Sequence, residues 1–180
     1  MTCFAELDRR RTFADMRAAW SPEGLAFSVA VSGKTKPPWC RESRLEDSDG
    51  LCLWIDTRDT HNVHRASRFC HRFMFLPSGG GRRLDRPVAD QMIIHRAREN
   101  AKPIRPGMLN VGVAMRVDGY LLSAFIPAEA LTGYQPSEYP KLGFFYLVQD
   151  RELGHQTFSV DHQFPFETDP SLWGTLELEE

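Results

Sequence analysis

Seven charged or imidazole-bearing side chains crowd the segment from residue 56 to residue 68, between two stretches in which apolar and polar residues alternate. Imidazole and carboxylate groups can together hold zinc or another divalent ion. A guanidinium group can bind a carboxylate or a hydroxyl-rich molecule through paired N–H donors. The same groups can equally form a hydrogen-bonded network that fixes a long loop. The seven residues are Asp56, Arg58, Asp59, His61, His64, Arg65 and Arg68.

The spacing in this segment matches no recognised metal-binding motif, so it predicts no particular metal ion. Polar side chains on a loop between two strands are a common place for recognition on a β-scaffold. We therefore assign five of them to a candidate ligand-binding surface: Arg58, Asp59, His61, His64 and Arg65.

Aromatic side chains form the second group that can do binding chemistry. A flat ring can stack on the apolar C–H face of a sugar while fixed polar groups bind its hydroxyls. Trp39 follows two prolines, which predicts a loop that either displays the ring or covers a satellite cluster. Trp54 alternates with its apolar neighbours, so it either packs on the second side of a sheet or is displayed there. Trp173 joins these two as a candidate, with Tyr134 and Tyr139 as further rings.

Composition and motifs exclude several classes of function. The net charge of −2 offers no overall attraction to nucleic acid or to an anionic membrane. No apolar run approaches the roughly 18 residues that span a bilayer. The GxSxG, P-loop and HExxH motifs are absent from the sequence, which predicts a protein that is not an enzyme. The amino end lacks the apolar core of a secretory signal, so we expect a cytoplasmic protein or a fragment of a secreted one.

Alternation with a period of two residues dominates the chain and predicts β-strands. Leu25 to Val31 alternate clearly, and the SPEG segment before them predicts a turn back to a strand ending at Trp20. Residues 51–55 and 69–76 alternate in the same way. His71 shares the face of its phenylalanine neighbours there and is predicted to be a core histidine. Four further strands are predicted at 91–96, 142–149, 156–160 and 173–178.

The dipeptide Asp118-Gly119 predicts a two-residue hairpin turn, because both residues tolerate positive φ. In that register Val117 lies opposite Tyr120 and Val113 lies opposite Ala124, so one face of the hairpin is almost wholly apolar. The PAEAL segment at residues 127–131 predicts one short helical turn after the second strand.

About ten short strands with one helical turn predict an all-β fold, a two-sheet antiparallel β-sandwich. The 180 residues fit a single domain spanning residues 1–180. The four cysteines have neither CxxC spacing nor the density of a disulfide scaffold, so they are predicted to be reduced and buried or incidental.

Four segments in this order resemble the family 9 carbohydrate-binding modules and the related DOMON-type sandwiches. They are residues 20–32, the DSDGLCLWIDTRD run at 47–59, GYLLSAFIPAEAL with LGFFYLVQD at 119–150, and DPSLWGTLEL at 169–178. The resemblance implies a two-sheet sandwich whose glycan-binding members hold a sugar between aromatic rings. Cys52 stands where such members carry a glutamate, and Glu46 stands where they carry an aromatic residue.

The leading hypothesis is a non-catalytic binding module for a carbohydrate or a similar polyhydroxylated ligand. One alternative is a structural or protein-interaction domain without a small ligand. Another, implied by the DOMON resemblance, is a haem-binding domain that uses Met74, Met92 or His95. We predict no cofactor, with calcium at Asp47 and Asp49 as the alternative because hard cations prefer oxygen ligands.

Overall fold

The computed structural model describes residues 12–179, and Cys3 lies outside the described residues. The described part of the chain forms ten strands and three short 3₁₀ turns. None of its helical segments is long and apolar enough to cross a membrane. The strands are β1 (Ala14–Ser21), β2 (Gly24–Ser32), β3 (Gly50–Asp56), β4 (Cys70–Gly80), β5 (Arg86–Met92), β6 (Asn110–Arg116), β7 (Gly119–Pro127), β8 (Lys141–Asp150), β9 (Gly154–Thr157) and β10 (Gly174–Glu177). The 3₁₀ turns are Glu42–Asp47, Ala128–Ala130 and Pro170–Leu172.

The strands form two antiparallel sheets. The four-stranded sheet has the order β1-β2-β7-β6. The six-stranded sheet has the order β10-β8-β3-β4-β5, and β9 pairs with the far end of β8. The all-β, two-sheet antiparallel β-sandwich predicted from the alternation is confirmed.

The main core lies between the two sheets. Residues of odd parity in β2 and β3, such as Phe27 and Leu53, point into it. Even-numbered residues of β7 and β8 do the same, and Phe27 stacks on Phe144 with ring centroids 5.7 Å apart. This contact joins the four-stranded sheet to the six-stranded one. Period-two alternation therefore determines which residues fill the space between the sheets.

A second cluster covers the outer face of the six-stranded sheet. Cys52, Trp54 and Phe145 lie on that face, and Phe166 and Trp173 of the C-terminal segment pack over them. Every residue of β3 is therefore buried, although only its odd-numbered residues face the other sheet. Cys52 is also one of three cysteines found free and buried, as predicted, together with Cys40 and Cys70.

Several predicted boundaries need correction. The strand predicted at 91–96 is wrong except for its first two residues, because β5 begins at Arg86 and ends at Met92 and residues 93–96 form no strand. The strand predicted at 156–160 is β9, which begins at Gly154 and ends at Thr157. The helical turn predicted in PAEAL is present, and two further 3₁₀ turns accompany it among the described residues.

The hairpin register predicted from Asp118-Gly119 is wrong by two residues. Met115 pairs with Tyr120 and Val113 with Leu122, so Val117 and Asp118 form the turn. A shift of two residues preserves alternation, so the same side chains still share one face. Val117 is fully exposed at the tip of the hairpin instead of lying opposite Tyr120.

Gly119 is required for a different reason from the predicted one. It is the first residue of β7 and pairs with Ser32. A Cβ atom built on Gly119 would lie 1.9 Å from the carbonyl oxygen of Val31. Backbone contact between the strands, and not a positive φ, therefore excludes a side chain at this position.

We expect Gly119→Ala to lower the free energy of unfolding by about 1–3 kcal/mol, because the strands must move apart to admit the methyl group. Denaturant unfolding of the variant measures this loss. Gly112→Ala is the matched control, since a Cβ at Gly112 in the neighbouring strand β6 meets no atom within 4 Å. Equal stability of the two variants would contradict the close approach of β7 to β2.

Candidate functional site

Arg58 of the predicted binding loop is held by its neighbours. Its guanidinium lies 4.5 Å from the ring centroid of Phe69 and 4.0 Å from that of Tyr139. It also donates hydrogen bonds to the carbonyl oxygens of Thr57, at 2.9 Å, and Gly133, at 2.6 Å. Arg58 therefore fixes the start of the loop against the segment that follows β7.

Asp59 and His61 connect the loop to β10. The carboxylate of Asp59 accepts a hydrogen bond from Thr175 Oγ1 at 3.0 Å and lies 2.9 Å from His61 Nε2. Asp59 has a φ of 49°, a left-handed conformation that aspartate tolerates better than most residues. The Asp59 and His61 side chains are therefore tied to the C-terminal strand.

His64 and Arg65 connect the far end of the loop to other segments. His64 Nδ1 lies 3.1 Å from Asp169 Oδ2 and 3.1 Å from Ser171 Oγ. Arg65 Nε donates to the carbonyl oxygen of Arg96 at 2.8 Å. The two imidazoles of the loop thus turn toward different partners. Within residues 12–179 no group of three or more His, Cys, Asp or Glu side chains is placed to hold a metal ion.

The five loop residues form a network of hydrogen bonds and ring contacts that fixes the loop. This arrangement matches the structural alternative that the sequence left open for this segment. Whether their exposed edges also bind a ligand remains a prediction.

Trp54 and Trp173 are buried, so their assignment as candidate ligand-binding rings is corrected to a packing role. Trp54 has no exposed surface and makes edge contacts with Phe145 and Phe166, with centroids 6.0 and 5.6 Å apart. Trp173 donates its indole N–H to the carbonyl oxygen of Phe166 at 2.7 Å. Trp54 does lie on the second side of the sheet, as its parity predicts. The C-terminal segment covers it there.

Trp39 borders an open cavity of about 560 Å³, which we call the Trp39 cavity. The ring and Pro37 supply apolar wall, and the other lining groups are charged. The guanidinium of Arg151 lies 3.7 Å from the centroid of the indole ring. The cavity is lined by Lys34, Lys36, Pro37, Trp39, Asp49, Arg151 and Glu152.

Asp49 joins the two sides of this cavity. One carboxylate oxygen accepts the backbone N–H of Trp39 at 2.9 Å, and the other accepts that of Arg151 at 2.8 Å. Burial raises the pKa of Asp49 above the ordinary aspartate value, and the hydrogen bonds from these two backbone groups act in the opposite direction. Asp49 thus joins the backbone at Trp39 to the backbone at Arg151.

A buried ammonium group lies at the base of the Trp39 cavity. The Lys34 side chain is 3% exposed, and its Nζ bonds to Asp150 Oδ2. The same Nζ lies 3.7 Å from Asp49 Oδ2 and 3.8 Å from Glu152 Oε2. One buried ammonium group therefore lies within 4 Å of three carboxylates.

The two carboxylates considered for calcium lie in different environments. Asp47 pairs on the surface with Arg44 Nη2 at 2.6 Å, whereas Asp49 is buried beside Lys34. Calcium binding at this turn stays a prediction.

Glu46 and Cys52, the two positions that differ from the pattern of the resemblance, meet at one arginine. Arg72 Nη1 lies 2.8 Å from Glu46 Oε1, and its Nε lies 3.5 Å from Cys52 Sγ. Burial raises the pKa of the Cys52 thiol to about 11, so the thiol is neutral at physiological pH. The guanidinium also lies 5.1 Å from the ring centroid of Trp54. This buried arginine therefore links Glu46 to the second cluster.

Two of the residues named for haem, Met74 and Met92, pack in the second cluster. Met74 is buried in the second cluster, and His95 is largely exposed, with its Nε2 3.9 Å from Glu46 Oε1. Met92 pairs with Arg72 across β4 and β5. Haem binding stays a prediction.

Sequence reasoning identified Trp39 but missed most of its partners. Lys34 and Lys36 precede the two prolines, and Arg151 and Glu152 follow β8 more than a hundred positions later. The available signal was the run of lysines before Pro37. Nothing in the local pattern connects that run to the turn after β8.

No protein-family model and no curated protein matches this sequence. Solved structures do match its fold. A family 9 carbohydrate-binding module from Caldicellulosiruptor kristjanssonii in complex with cellotriose is 14% identical, with a TM-score of 0.61, over 94% of this chain and 77% of that one. A structure with the same description in complex with glucose is 14% identical, with a TM-score of 0.62, over 92% and 76%.

A Bacteroides uniformis protein proposed to bind carbohydrate is 12% identical, with a TM-score of 0.58, over 92% of this chain and 78% of that one. The two-sheet sandwich is therefore of the kind found in family 9 carbohydrate-binding modules, as the sequence resemblance implied. The DOMON part of that resemblance stays a prediction.

Proposed function

We propose that this protein is a non-catalytic binding module for saccharides and that the Trp39 cavity is its binding site. The observation that carries this proposal is the cavity itself, which combines an indole ring and a proline with fixed charged groups. Saccharide sites need both, because the ring carbons of a sugar are apolar and its hydroxyls require positioned polar partners. The fold is also one on which related modules are solved with glucose and cellotriose.

The volume of the cavity supports this assignment. At about 560 Å³ it falls within the range of roughly 300–1,000 Å³ that is typical of small-molecule sites. Lys36 and Arg151 lie on the wall of this cavity, so cationic donors are available to hydroxyl groups. The Asp49 carboxylate holds the backbone of Trp39 at the wall of the cavity.

Isothermal titration calorimetry with cellotriose and trigalacturonic acid tests the proposal. We expect one or both saccharides to bind, and we expect Trp39→Ala to weaken that binding at least tenfold because the apolar wall is lost. Phe164→Ala is the matched control, since Phe164 is an exposed aromatic residue outside the cavity. Absence of binding to both saccharides, or equal binding by the two variants, would overturn the proposal.

A further inference from the structure

We propose that the Trp39 cavity selects acidic saccharides, with the carboxylate of a uronic acid residue bound by Arg151 and Lys36. This inference rests on the proposed function, because it names the class of saccharide that the same cavity takes.

Arg151 is placed to receive a carboxylate. Its guanidinium lies 3.7 Å from the Trp39 ring centroid, and its backbone N–H is held by Asp49 Oδ1 at 2.8 Å. A guanidinium held against an indole ring keeps N–H donors available for a planar acceptor such as a carboxylate. Within residues 12–179 no carboxylate lies within ion-pair distance of the exposed Arg151 side chain.

Lys36 supplies a second cation at the same wall. Its backbone N–H donates to Glu152 Oε2 at 3.0 Å, while its ammonium pairs with no carboxylate of the described chain. Lys36 also lines an adjoining cavity of about 240 Å³ between residues 34–38 and the tip of the β6–β7 hairpin. Arg116 lines that second cavity and is likewise without a carboxylate partner among residues 12–179. Cations therefore continue from one cavity into the next, which suits a chain of acidic sugars better than a single ring.

The carboxylates of the cavity wall are already engaged. Glu152 accepts hydrogen bonds from the Thr35 hydroxyl at 2.6 Å and from the backbone N–H groups of Thr35 and Lys36 at 2.9 and 3.0 Å. The Thr35 hydroxyl, followed by the two backbone groups, lowers the pKa of Glu152 to about 2. Asp49 is held by two backbone N–H groups and lies beside the Lys34 ammonium. Neither wall carboxylate is paired with Arg151 or with the Lys36 ammonium.

The local charge at this site differs from that of the whole protein. The chain carries a net charge of −2, yet three cations without a carboxylate partner among residues 12–179 line the two adjoining cavities: Lys36, Arg116 and Arg151. A neutral sugar can accept hydrogen bonds from these guanidinium and ammonium groups but offers them no opposite charge. A carboxylated sugar adds an opposite charge and can accept two parallel N–H bonds from a guanidinium.

Calorimetry with three saccharides tests the inference on the intact protein: trigalacturonic acid, its fully methyl-esterified form, and cellotriose. The first two differ in charge on the same sugar backbone. We expect the free acid to bind at least tenfold more tightly than the ester. Arg151→Gln should remove most of that difference between acid and ester, because the guanidinium that pairs with the carboxylate is lost. Arg105→Gln, an exposed arginine outside both cavities, is the control for a general loss of positive charge.

The outcomes separate the two proposals. Binding of neutral saccharides with no preference for the free acid would overturn the acidic selectivity and keep the proposed function. An acid preference that survives in Arg151→Gln and Lys36→Gln would also overturn the inference, because the charge would then be recognised elsewhere. Absence of binding to all three saccharides would overturn both proposals.

Discussion

Lys34→Met is expected to lower the free energy of unfolding by about 3–5 kcal/mol, because it strands buried carboxylates without their counterion. Lys34 is buried and bonds to Asp150, and Asp49 and Glu152 lie within 4 Å of the same ammonium. Methionine keeps the length of the side chain, so the loss reports charge more than volume. Chemical denaturation at pH 7 measures the effect.

Lys141→Met is the control for this substitution. Lys141 Nζ lies 3.8 Å from Glu177 Oε1, and both side chains are more than half exposed. Such surface pairs contribute about 0–1 kcal/mol, so the control should remain close to the wild-type stability. A Lys34→Met protein as stable as this control would show that the buried carboxylates do not depend on the ammonium.

Acidification from pH 7 to pH 4 is expected to cost about 3 kcal/mol of stability through His71 alone. His71 is buried in β4 and stacks on Phe73, with ring centroids 5.8 Å apart. Burial disfavours the imidazolium and lowers the pKa of His71 to about 4 from the ordinary value of 6.5.

The direction of this pH effect on stability follows from proton uptake by the unfolded chain. Below pH 6.5 the unfolded chain binds a proton at this imidazole and the folded chain does not, so unfolding becomes more favourable as the pH falls. The contribution is complete above about pH 6.5 and is lost between that value and about pH 4, where the folded protein also becomes protonated.

Unfolding curves of the wild type and of His71→Phe at pH 7, 5.5 and 4 isolate this contribution. Phenylalanine can keep the stacking on Phe73 and cannot titrate. Subtracting the two pH profiles removes the effect of every other group, including Asp49, whose raised pKa acts in the opposite direction. His71→Gln serves the same purpose if the larger ring is not accommodated. Parallel pH profiles for the wild type and both variants would show that His71 is not kept neutral by burial.

Hydrophobic alternation by itself determined the class of fold. The period of two in residues 25–31 and 51–55 places Phe27 and Leu53 in the core between the sheets, and the structure confirms this. Alternation is a local property of the backbone, so it predicts the face of a residue even where the predicted strand pairing is wrong. The β6–β7 hairpin illustrates this, because a register error of two residues left the paired side chains on their predicted faces and moved only Val117 into the turn.

The covering of the outer sheet face was decided only by the tertiary structure. Parity places Trp54 on that face, but parity cannot tell whether the face is exposed to solvent. Phe166 and Trp173, more than a hundred residues away in sequence, pack over it and turn an apparent stacking ring into a core residue. Such contacts depend on where a segment distant in sequence packs in the folded chain, and the local sequence does not determine that position.

The same distinction applies to the candidate site. The sequence by itself indicated that Trp39, which follows two prolines, is a candidate ligand-binding ring. Only the fold brings it to Arg151, because the turn after β8 and the segment before β3 are joined through a single buried carboxylate, Asp49. Residue type therefore determined what chemistry the chain can do. The antiparallel pairing of β3 with β8 decided which of those groups meet, because it brings Gly50 opposite Gln149 and so places the two segments side by side.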